Sequence, residues 1–203
     1  MSIQKLLVFG GLLVVLTACV PEYDDPNPPR AIKGGTVAKV VVEEFGDFQC
    51  PACGQAYPVL KALAEQYGNR VQWKYYHFPL ISIHPFAFNA ALAAECANDQ
   101  GKFWEYHDTL FENQQKLGKG DLNTYAGEVG LDTELFKACL NSRAKTETVR
   151  GDLAFGDSRG VQSTPTIFLD GERLHNYSSL ESRLQTLFAE EENSDEESEE
   201  DTE

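Results

Sequence analysis

The pattern of hydrophobic and polar positions predicts a chain that alternates strands and helices. Two runs rich in valine and aromatic residues, over 37–45 and 71–78, predict buried strands. The segment 54–67 between them carries apolar residues at helical spacing and ends at Gly68, so it predicts a helix. Pro58 lies inside that helix and is expected to kink it, because proline lacks the N–H that the helix needs.

The middle of the chain predicts helices only. Apolar residues recur there with helical periodicity, and Asp132 is placed to cap one of the helices, since aspartate accepts hydrogen bonds from free N–H groups at a helix start. The predicted helices cover 85–98, 102–115, 122–129, 132–140 and 145–158.

Strand character returns near the C-terminus. The segment 166–169 predicts a strand, and the Asp-Gly dipeptide at 170–171 predicts a type I′ hairpin turn. A returning strand over 172–175 follows, and then a last helix capped by Ser178 or Ser179.

The predicted order is therefore β-α-β, a helical block of about 75 residues over 84–158, and then β-β-α. This order predicts an α/β fold with an inserted all-helical subdomain. The foldable part of the chain, 36–189, has a length that suits one domain with its own core.

The N-terminus predicts export from the cytoplasm. Residues 1–18 combine Lys5 with an apolar run over 6–16 that is too short to span a bilayer comfortably. The run ends in Leu-Thr-Ala-Cys, which resembles the bacterial lipobox and predicts lipidation at Cys19. A plain signal peptide and an uncleaved anchor are the alternatives. Residues 19–35 contain four prolines and predict an extended linker.

The C-terminal residues 190–203 predict a disordered tail. They include ten acidic residues, no basic ones and no large apolar ones, so they have little surface to bury. The tail carries most of the formal net charge of −15, so that charge does not describe a binding surface of the domain. Nothing in the composition indicates a nucleic-acid partner.

The most informative motif is Cys50-Pro51-Ala52-Cys53, which lies between the first strand and the first helix. The N–H groups at a helix start favour an anion, so they favour the thiolate form of the first cysteine. Because a thiolate attacks disulfides, this position predicts dithiol redox chemistry.

Other uses of a Cys-x-x-Cys motif are less consistent with the sequence. Haem attachment needs histidine after the second cysteine, where this chain has Gly54. A zinc site needs a second ligand pair, and the four histidines are scattered along the chain. We therefore expect no metal and no cofactor, although a metal site and a merely structural disulfide stay as alternatives. Without Cys19, an even number of cysteines remains.

The motifs and their order resemble the DsbA-like thiol–disulfide oxidoreductases, a group with the thioredoxin fold and a helical insertion. The resemblance is carried by Glu-Phe-Gly-Asp-Phe-Gln-Cys-Pro-Ala-Cys at 44–53 and by Gly-Val-Gln-Ser-Thr-Pro-Thr at 160–166. It covers about Lys39 to Ala189. It implies a thioredoxin-like fold and an enzyme that exchanges thiols and disulfides.

The resemblance also implies roles for individual residues. Cys50 would be the nucleophile and Cys53 the shielded resolving thiol. Pro165 would be a cis-proline beside the pair, and Thr164 would present its backbone to the substrate. Glu44 would be a buried acid that relays a proton to and from Cys53, its pKa raised by burial. The alternative for Glu44 is an exposed charge.

Two further expectations concern the inserted block. Some relatives carry a second, non-catalytic disulfide there, so the resemblance implies a Cys96–Cys139 bridge, with two buried free thiols as the alternative. His84 either lies near the active site or is an ordinary polar loop residue.

One position departs from the pattern of the best-known oxidases, which have histidine between the cysteines where this chain has Ala52. Alanine adds no charge, so it predicts a less extreme oxidant, and the motif does not fix the direction of electron flow.

We expect a monomeric, membrane-anchored lipoprotein facing the periplasm or the extracellular side. It would oxidise cysteines of exported proteins, and a membrane redox partner would reoxidise its cysteine pair. A reductase or isomerase, a metal carrier that uses the cysteine pair, and an extracytoplasmic chaperone or adhesion scaffold are the alternatives.

Overall fold

The structure, a computed structural model, describes residues 29–200. The predicted signal peptide 1–18, the predicted lipidation site Cys19 and the first part of the predicted linker lie outside the described residues, as does the end of the predicted tail.

Five strands form one mixed sheet. They are β1 (Ile32–Gly34), β2 (Val40–Gly46), β3 (Val71–His77), β4 (Thr166–Leu169) and β5 (Glu172–Arg173). Their order in the sheet is β1-β3-β2-β4-β5. The two central strands β2 and β3 are parallel, and every other neighbouring pair is antiparallel.

The short edge strand β1 falls inside the predicted linker over 19–35, so the linker ends earlier than we predicted. Ile32 pairs with Lys74 of β3. Arg30 forms a bidentate ion pair with the buried Asp152 and donates to the carbonyl of Tyr75 at 2.5 Å. These contacts attach the N-terminal segment to the sheet.

Seven helices accompany the sheet in the described part of the chain, besides two short 3₁₀ turns: α1 (Pro51–Tyr67), α2 (Ala87–Asn98), α3 (Phe103–Glu112), α4 (Lys119–Glu128), α5 (Thr133–Ser142), α6 (Thr146–Ser158) and α7 (Leu180–Glu200). Helix α1 begins three residues earlier than predicted, because Pro51 suits the first helical position, and it continues past Pro58 without a break. The all-helical block between β3 and β4 is confirmed.

Local side-chain chemistry explains several boundaries. Asp132 caps α5 as predicted, since its Oδ1 accepts from the N–H groups of Glu134 and Leu135 at 2.9 and 3.0 Å. Asp170 and Gly171 have φ values of 49° and 82°, which a type I′ turn requires. The predicted returning strand is shorter, because β5 ends at residue 173.

The cap before α7 differs from the prediction of Ser178 or Ser179. The side chain of Asn176 accepts from the N–H of Ser179 at 3.1 Å, and α7 then begins at Leu180. The helix continues to Glu200, where the sequence predicts a disordered tail from residue 190. Glutamate is a good helix former, which favours this continuation.

The sheet is covered on both faces. One face packs against the apolar sides of α1 and α7 through a cluster that includes Val42, Leu60 and Leu184. The other face holds a smaller cluster around Phe45 and Phe168, against which Leu153 of α6 packs. Of the helices in residues 29–200, none is both long enough and apolar enough to cross a membrane.

Candidate active site

The two cysteines of the motif lie where β2 leads into α1. Cys50 is the N-cap of α1, with an extended backbone, and its carbonyl accepts the first helical hydrogen bond from Gly54 at 3.1 Å. Cys53 lies one turn further, on the buried side of the helix. Both are free thiols. This arrangement places Cys50 at the positive end of the helix dipole.

The thiol of Cys50 is unusually acidic. Its pKa is lowered to about 5, mainly by a hydrogen bond from the Cys53 thiol. Burial opposes this shift, whereas contacts with Thr164 and with the N–H groups of Cys53 and Ala52 lower the pKa further. At neutral pH the reduced protein therefore carries a thiolate at Cys50, the form that attacks disulfides.

The thiol of Cys53 has the opposite character. It is fully covered, with 0% of its surface exposed, whereas Cys50 is 6% exposed. Burial is the main reason that the pKa of Cys53 is raised far above the ordinary thiol range, and the hydrogen bond to the sulfur of Cys50 adds to the effect. Cys50 is thus ionised at the start of the helix, while Cys53 behind it keeps its proton.

The loop before β4 closes over Cys50. The Thr164–Pro165 peptide bond is cis, which is the geometry that the resemblance implies. The sulfur of Cys50 lies 3.4 Å from the Thr164 carbonyl oxygen, to which it donates when the thiol is protonated. The Thr164 hydroxyl is buried and has no hydrogen-bond partner among the described residues, so it can turn towards a thiolate.

Glu44 lies beneath the pair, on the sheet face that α1 covers. It pairs in register with Tyr75 of β3, and it is half-buried rather than exposed. Burial raises its pKa to about 8. Glu44 also lines a cavity of about 30 Å³, which has room for one or two water molecules. The carboxyl group is therefore mostly neutral near pH 7.

Asp47 organises the loop that precedes the cysteines, and the sequence analysis missed it. It is 1% exposed, and its carboxylate accepts from the N–H groups of Gln49 at 2.7 Å and Leu80 at 2.8 Å. Its Oδ2 also lies 2.7 Å from Nδ1 of His84. Asp47 is three residues before Cys50 in the sequence. His84 therefore lies near the site, and Asp47 connects the two.

An aromatic layer supports the site from below. The ring of Tyr75 stacks on Phe48 with centroids 5.2 Å apart, and burial raises its pKa well above the ordinary value. A Cβ atom at Gly46 would lie 2.5 Å from the Tyr75 hydroxyl, so the close approach of the ring requires glycine there. The spacing of residues along the sequence gave no signal of this contact.

The other two cysteines of the described residues form a disulfide within the same hydrophobic core cluster that holds Cys50 and Cys53. Cys96 of α2 and Cys139 of α5 are joined, with Cα atoms 5.8 Å apart, and each is 1% exposed. This is the pairing that the resemblance implies. It connects two helices inside the helical subdomain.

The sequence of residues 27–187 matches the protein family described as thioredoxin. Among curated proteins, the Na(+)/H(+) antiporter NhaA 1 of Salinispora arenicola is 38% identical over 186 residues, 90% of this chain but 27% of that protein. The Na(+)/H(+) antiporter NhaA of Herminiimonas arsenicoxydans is 37% identical over 154 residues, 76% of this chain and 23% of that protein. The chain thus spans about a quarter of the length of these relatives.

Several solved structures have a similar fold. A thioredoxin-like oxidoreductase from Silicibacter pomeroyi has a TM-score of 0.69 and 25% identity, over 83% of this chain and 96% of that one. BdbD from Bacillus subtilis, in its oxidised form, has a TM-score of 0.67 and 24% identity, over 79% and 92%. The predicted thioredoxin-like α/β fold with an inserted helical subdomain is confirmed.

Proposed function

Since this chain belongs to the thioredoxin family, we propose that it is a protein thiol–disulfide oxidoreductase that works through Cys50 and Cys53 and oxidises cysteines of exported proteins. The observation that carries the proposal is the contrast between the two sulfurs. One is acidic and lies at the start of a helix, and the other is sealed behind it and holds its proton.

The oxidising cycle begins with the Cys50–Cys53 disulfide. A substrate thiolate attacks the sulfur of Cys50, a mixed disulfide forms, and the sulfur of Cys53 leaves with the bonding electrons and takes up a proton. A second substrate thiolate then attacks the substrate sulfur of the mixed disulfide, and Cys50 leaves as a thiolate. The substrate is oxidised by two electrons, and the pair is reduced by two.

The low pKa of Cys50 favours this direction. A sulfur that is stable as a thiolate is a good leaving group, and it stabilises the reduced form of the pair, which makes the disulfide more oxidising. Ala52 adds no charge, but the Cys53 thiol and backbone N–H groups lower the pKa of Cys50 without one. This supports an oxidase over a reductase or an isomerase on the same scaffold.

Glu44 is proposed as the proton relay of the buried sulfur. Its pKa of about 8 keeps a proton on the carboxyl group at neutral pH, so it can protonate Cys53 as that sulfur leaves. Water in the adjoining cavity would restore the proton. In the reverse reaction the ionised carboxylate would accept the proton of Cys53.

The cis-proline loop is proposed as the substrate platform. Because the Thr164 carbonyl lies against the sulfur of Cys50, an extended peptide that reaches the sulfur also meets the backbone before Pro165. Backbone hydrogen bonds there would hold substrates of varied sequence, provided that they carry a cysteine.

The location and partners are proposed from the N-terminal sequence. Residues 1–18 would direct export, and lipidation at Cys19 would tether a monomeric domain to a membrane on its periplasmic or extracellular side. A membrane redox partner would reoxidise the pair. Ion exchange, which is named for the longer curated relatives, is not proposed for this chain.

The decisive experiment is the reduction potential of the pair, measured against glutathione, together with oxidative refolding of a reduced protein substrate. We expect a potential nearer to that of DsbA than that of thioredoxin, hence above about −200 mV, and refolding that disappears in Cys50→Ala. A potential near −270 mV with insulin reduction would favour a reductase. Stoichiometric copper or zinc in freshly purified protein, without exchange activity, would favour the metal carrier.

A further inference from the structure

A side chain from the helical subdomain contacts the backbone of the nucleophilic cysteine. Gln114, just beyond the end of α3, donates from Nε2 to the carbonyl of Cys50 at 2.7 Å. The same carbonyl accepts from the N–H of Gly54 at 3.1 Å. Both lone pairs of the carbonyl are therefore used, one by α1 itself and one by the subdomain.

Gly54 provides the space for this contact. A Cβ atom there would lie 2.4 Å from Oε1 of Gln114, too close for real atoms, and 3.0 Å from its Cδ, so the amide would have to move. Gly54 lies in the first turns of α1, where glycine weakens a helix relative to alanine. Glycine at position 54 lowers the stability of the helix, but it leaves room for the hydrogen-bonded amide of Gln114. This gives a physical reason for glycine at this position.

We propose that Gln114 is a positioning residue for Cys50, and that Gly54 is the gap in α1 that admits its amide. The inference rests on the proposed function. According to this proposal, the helical subdomain influences the reactivity of the dithiol through the hydrogen bond from Gln114 to the Cys50 carbonyl.

The physical reason lies in the first turn of α1. The N–H groups of Ala52 and Cys53 stabilise the thiolate only while they point at the sulfur of Cys50. Fixing the Cys50 carbonyl fixes the peptide plane from which that turn starts. The donor end of the Gln114 amide also adds a positive partial charge at the helix start, in the same sense as the helix dipole.

The test measures the pKa of Cys50 in the reduced full chain, from the pH dependence of alkylation of the Cys50 peptide by iodoacetamide. Gln114→Met keeps the length of the side chain but cannot donate a hydrogen bond. In this variant we expect the pKa of Cys50 to rise by about 0.5. In Gln114→Glu, which keeps the shape and adds a negative charge, we expect a larger rise. Gln115→Met is the matched control, because Gln115 is the exposed neighbour, and it should leave the pKa unchanged.

Gly54→Ala tests the gap. We expect it to displace the amide and to raise the pKa of Cys50 as much as Gln114→Met does, with no additional rise in the double variant. Additive shifts would refute the role of Gly54. An unchanged pKa of Cys50 in both Gln114 variants would refute the proposal, even if the melting temperature falls.

This outcome is separable from the proposed function. If the parent chain shows no exchange activity or an ordinary thiol at Cys50, the proposed function fails. If the parent is active and acidic and the Gln114 variants are equally acidic, only the positioning role fails.

Discussion

The two cysteine pairs of this chain have opposite surroundings. Cys50 and Cys53 are three residues apart across a helix start, and both are free. Cys96 and Cys139 are 43 residues apart on two helices, and they are bonded. The residue type is the same in all four cases, so the differences in reactivity come from position relative to a helix end and from access to solvent.

Each pair also lies near an acidic side chain, and the two acids differ. Glu44 beneath the reactive pair has its pKa raised to about 8, so it can exchange a proton near neutral pH. Asp99 lies 3.7 Å from the sulfur of Cys139 and 2.5 Å from the ammonium group of the buried Lys145. An acid held in an ion pair fixes the local structure, whereas an acid that titrates near pH 8 can take part in chemistry.

The largest expected effect separates the two pairs by activity. Cys50→Ser should reduce exchange with a disulfide peptide at least about 10³-fold, because it removes the acidic thiolate, and Cys53, the other free cysteine of the described residues, keeps its proton. Cys53→Ser should instead accumulate the mixed disulfide, which non-reducing gels and mass spectrometry would detect. Full activity in Cys50→Ser would break the comparison.

The second effect separates the pairs by stability. Replacing Cys96 and Cys139 together by alanine should lower the free energy of unfolding by about 4 kcal/mol, because the bridge closes a 43-residue loop in the unfolded chain. Denaturant titration measures this loss. Exchange activity per folded molecule should stay at the parent level, and a parallel loss of activity would show that the bridge is more than structural.

The third effect is the pH dependence of the reactive pair. Above pH 5, reduction should take up one proton rather than two, because Cys50 stays ionised while Cys53 is protonated. The potential should then fall by about 30 mV per pH unit above pH 5 and by about 60 mV below it. A slope of 60 mV throughout pH 5 to 8 would contradict the acidic thiol.

The same shift has a defined sign for stability. The pKa of Cys50 is lowered on folding, so the thiolate stabilises the folded, reduced protein above the ordinary thiol pKa, and this contribution is lost as pH falls to about 5. The Cys96–Cys139 bridge does not titrate and should contribute equally across this range.

The smallest effect concerns the acid beneath the reactive pair. Glu44→Gln should slow the release and attack steps of Cys53 about tenfold, which is below the hundredfold or more typical of general acid–base catalysis, since cavity water can replace part of the relay. Stopped-flow fluorescence with a peptide disulfide would measure these steps.

Stability gives an independent check on Glu44. Its pKa is raised on folding, so the stability of the parent falls as pH rises towards and through 8. The melting temperatures of Glu44→Gln and the parent should agree near pH 4 and diverge in favour of the variant by pH 9. Equal melting temperatures at both pH values would contradict a buried acid.

Much of the fold follows from local sequence patterns. Helical periodicity, the Asp132 cap and the Asp-Gly turn at 170–171 predicted their elements, because each depends on residues close in the chain. Strand β1 was missed, since three residues give no alternation. Its attachment depends on the ion pair between Arg30 and Asp152, which are 122 residues apart.

The candidate site divides in the same way. Cys50 and Cys53 were found from their own motif, whereas Thr164, Pro165 and Glu44 came from family resemblance. Asp47 and Gln114 could not be found by either route, because their roles depend on hydrogen bonds to residues distant in sequence, Leu80 and His84 for Asp47 and Cys50 for Gln114.

The closeness of Cys53 behind Cys50 also bears on oxidative damage. Peroxide oxidises an exposed thiolate by two electrons to a sulfenic acid, and further oxidation to a sulfinic acid is irreversible in most proteins. Here the thiol of Cys53 can condense with a sulfenic acid on Cys50, releasing water and forming the disulfide of the normal cycle. Under oxidative stress the pair would therefore form its disulfide before Cys50 could be oxidised irreversibly.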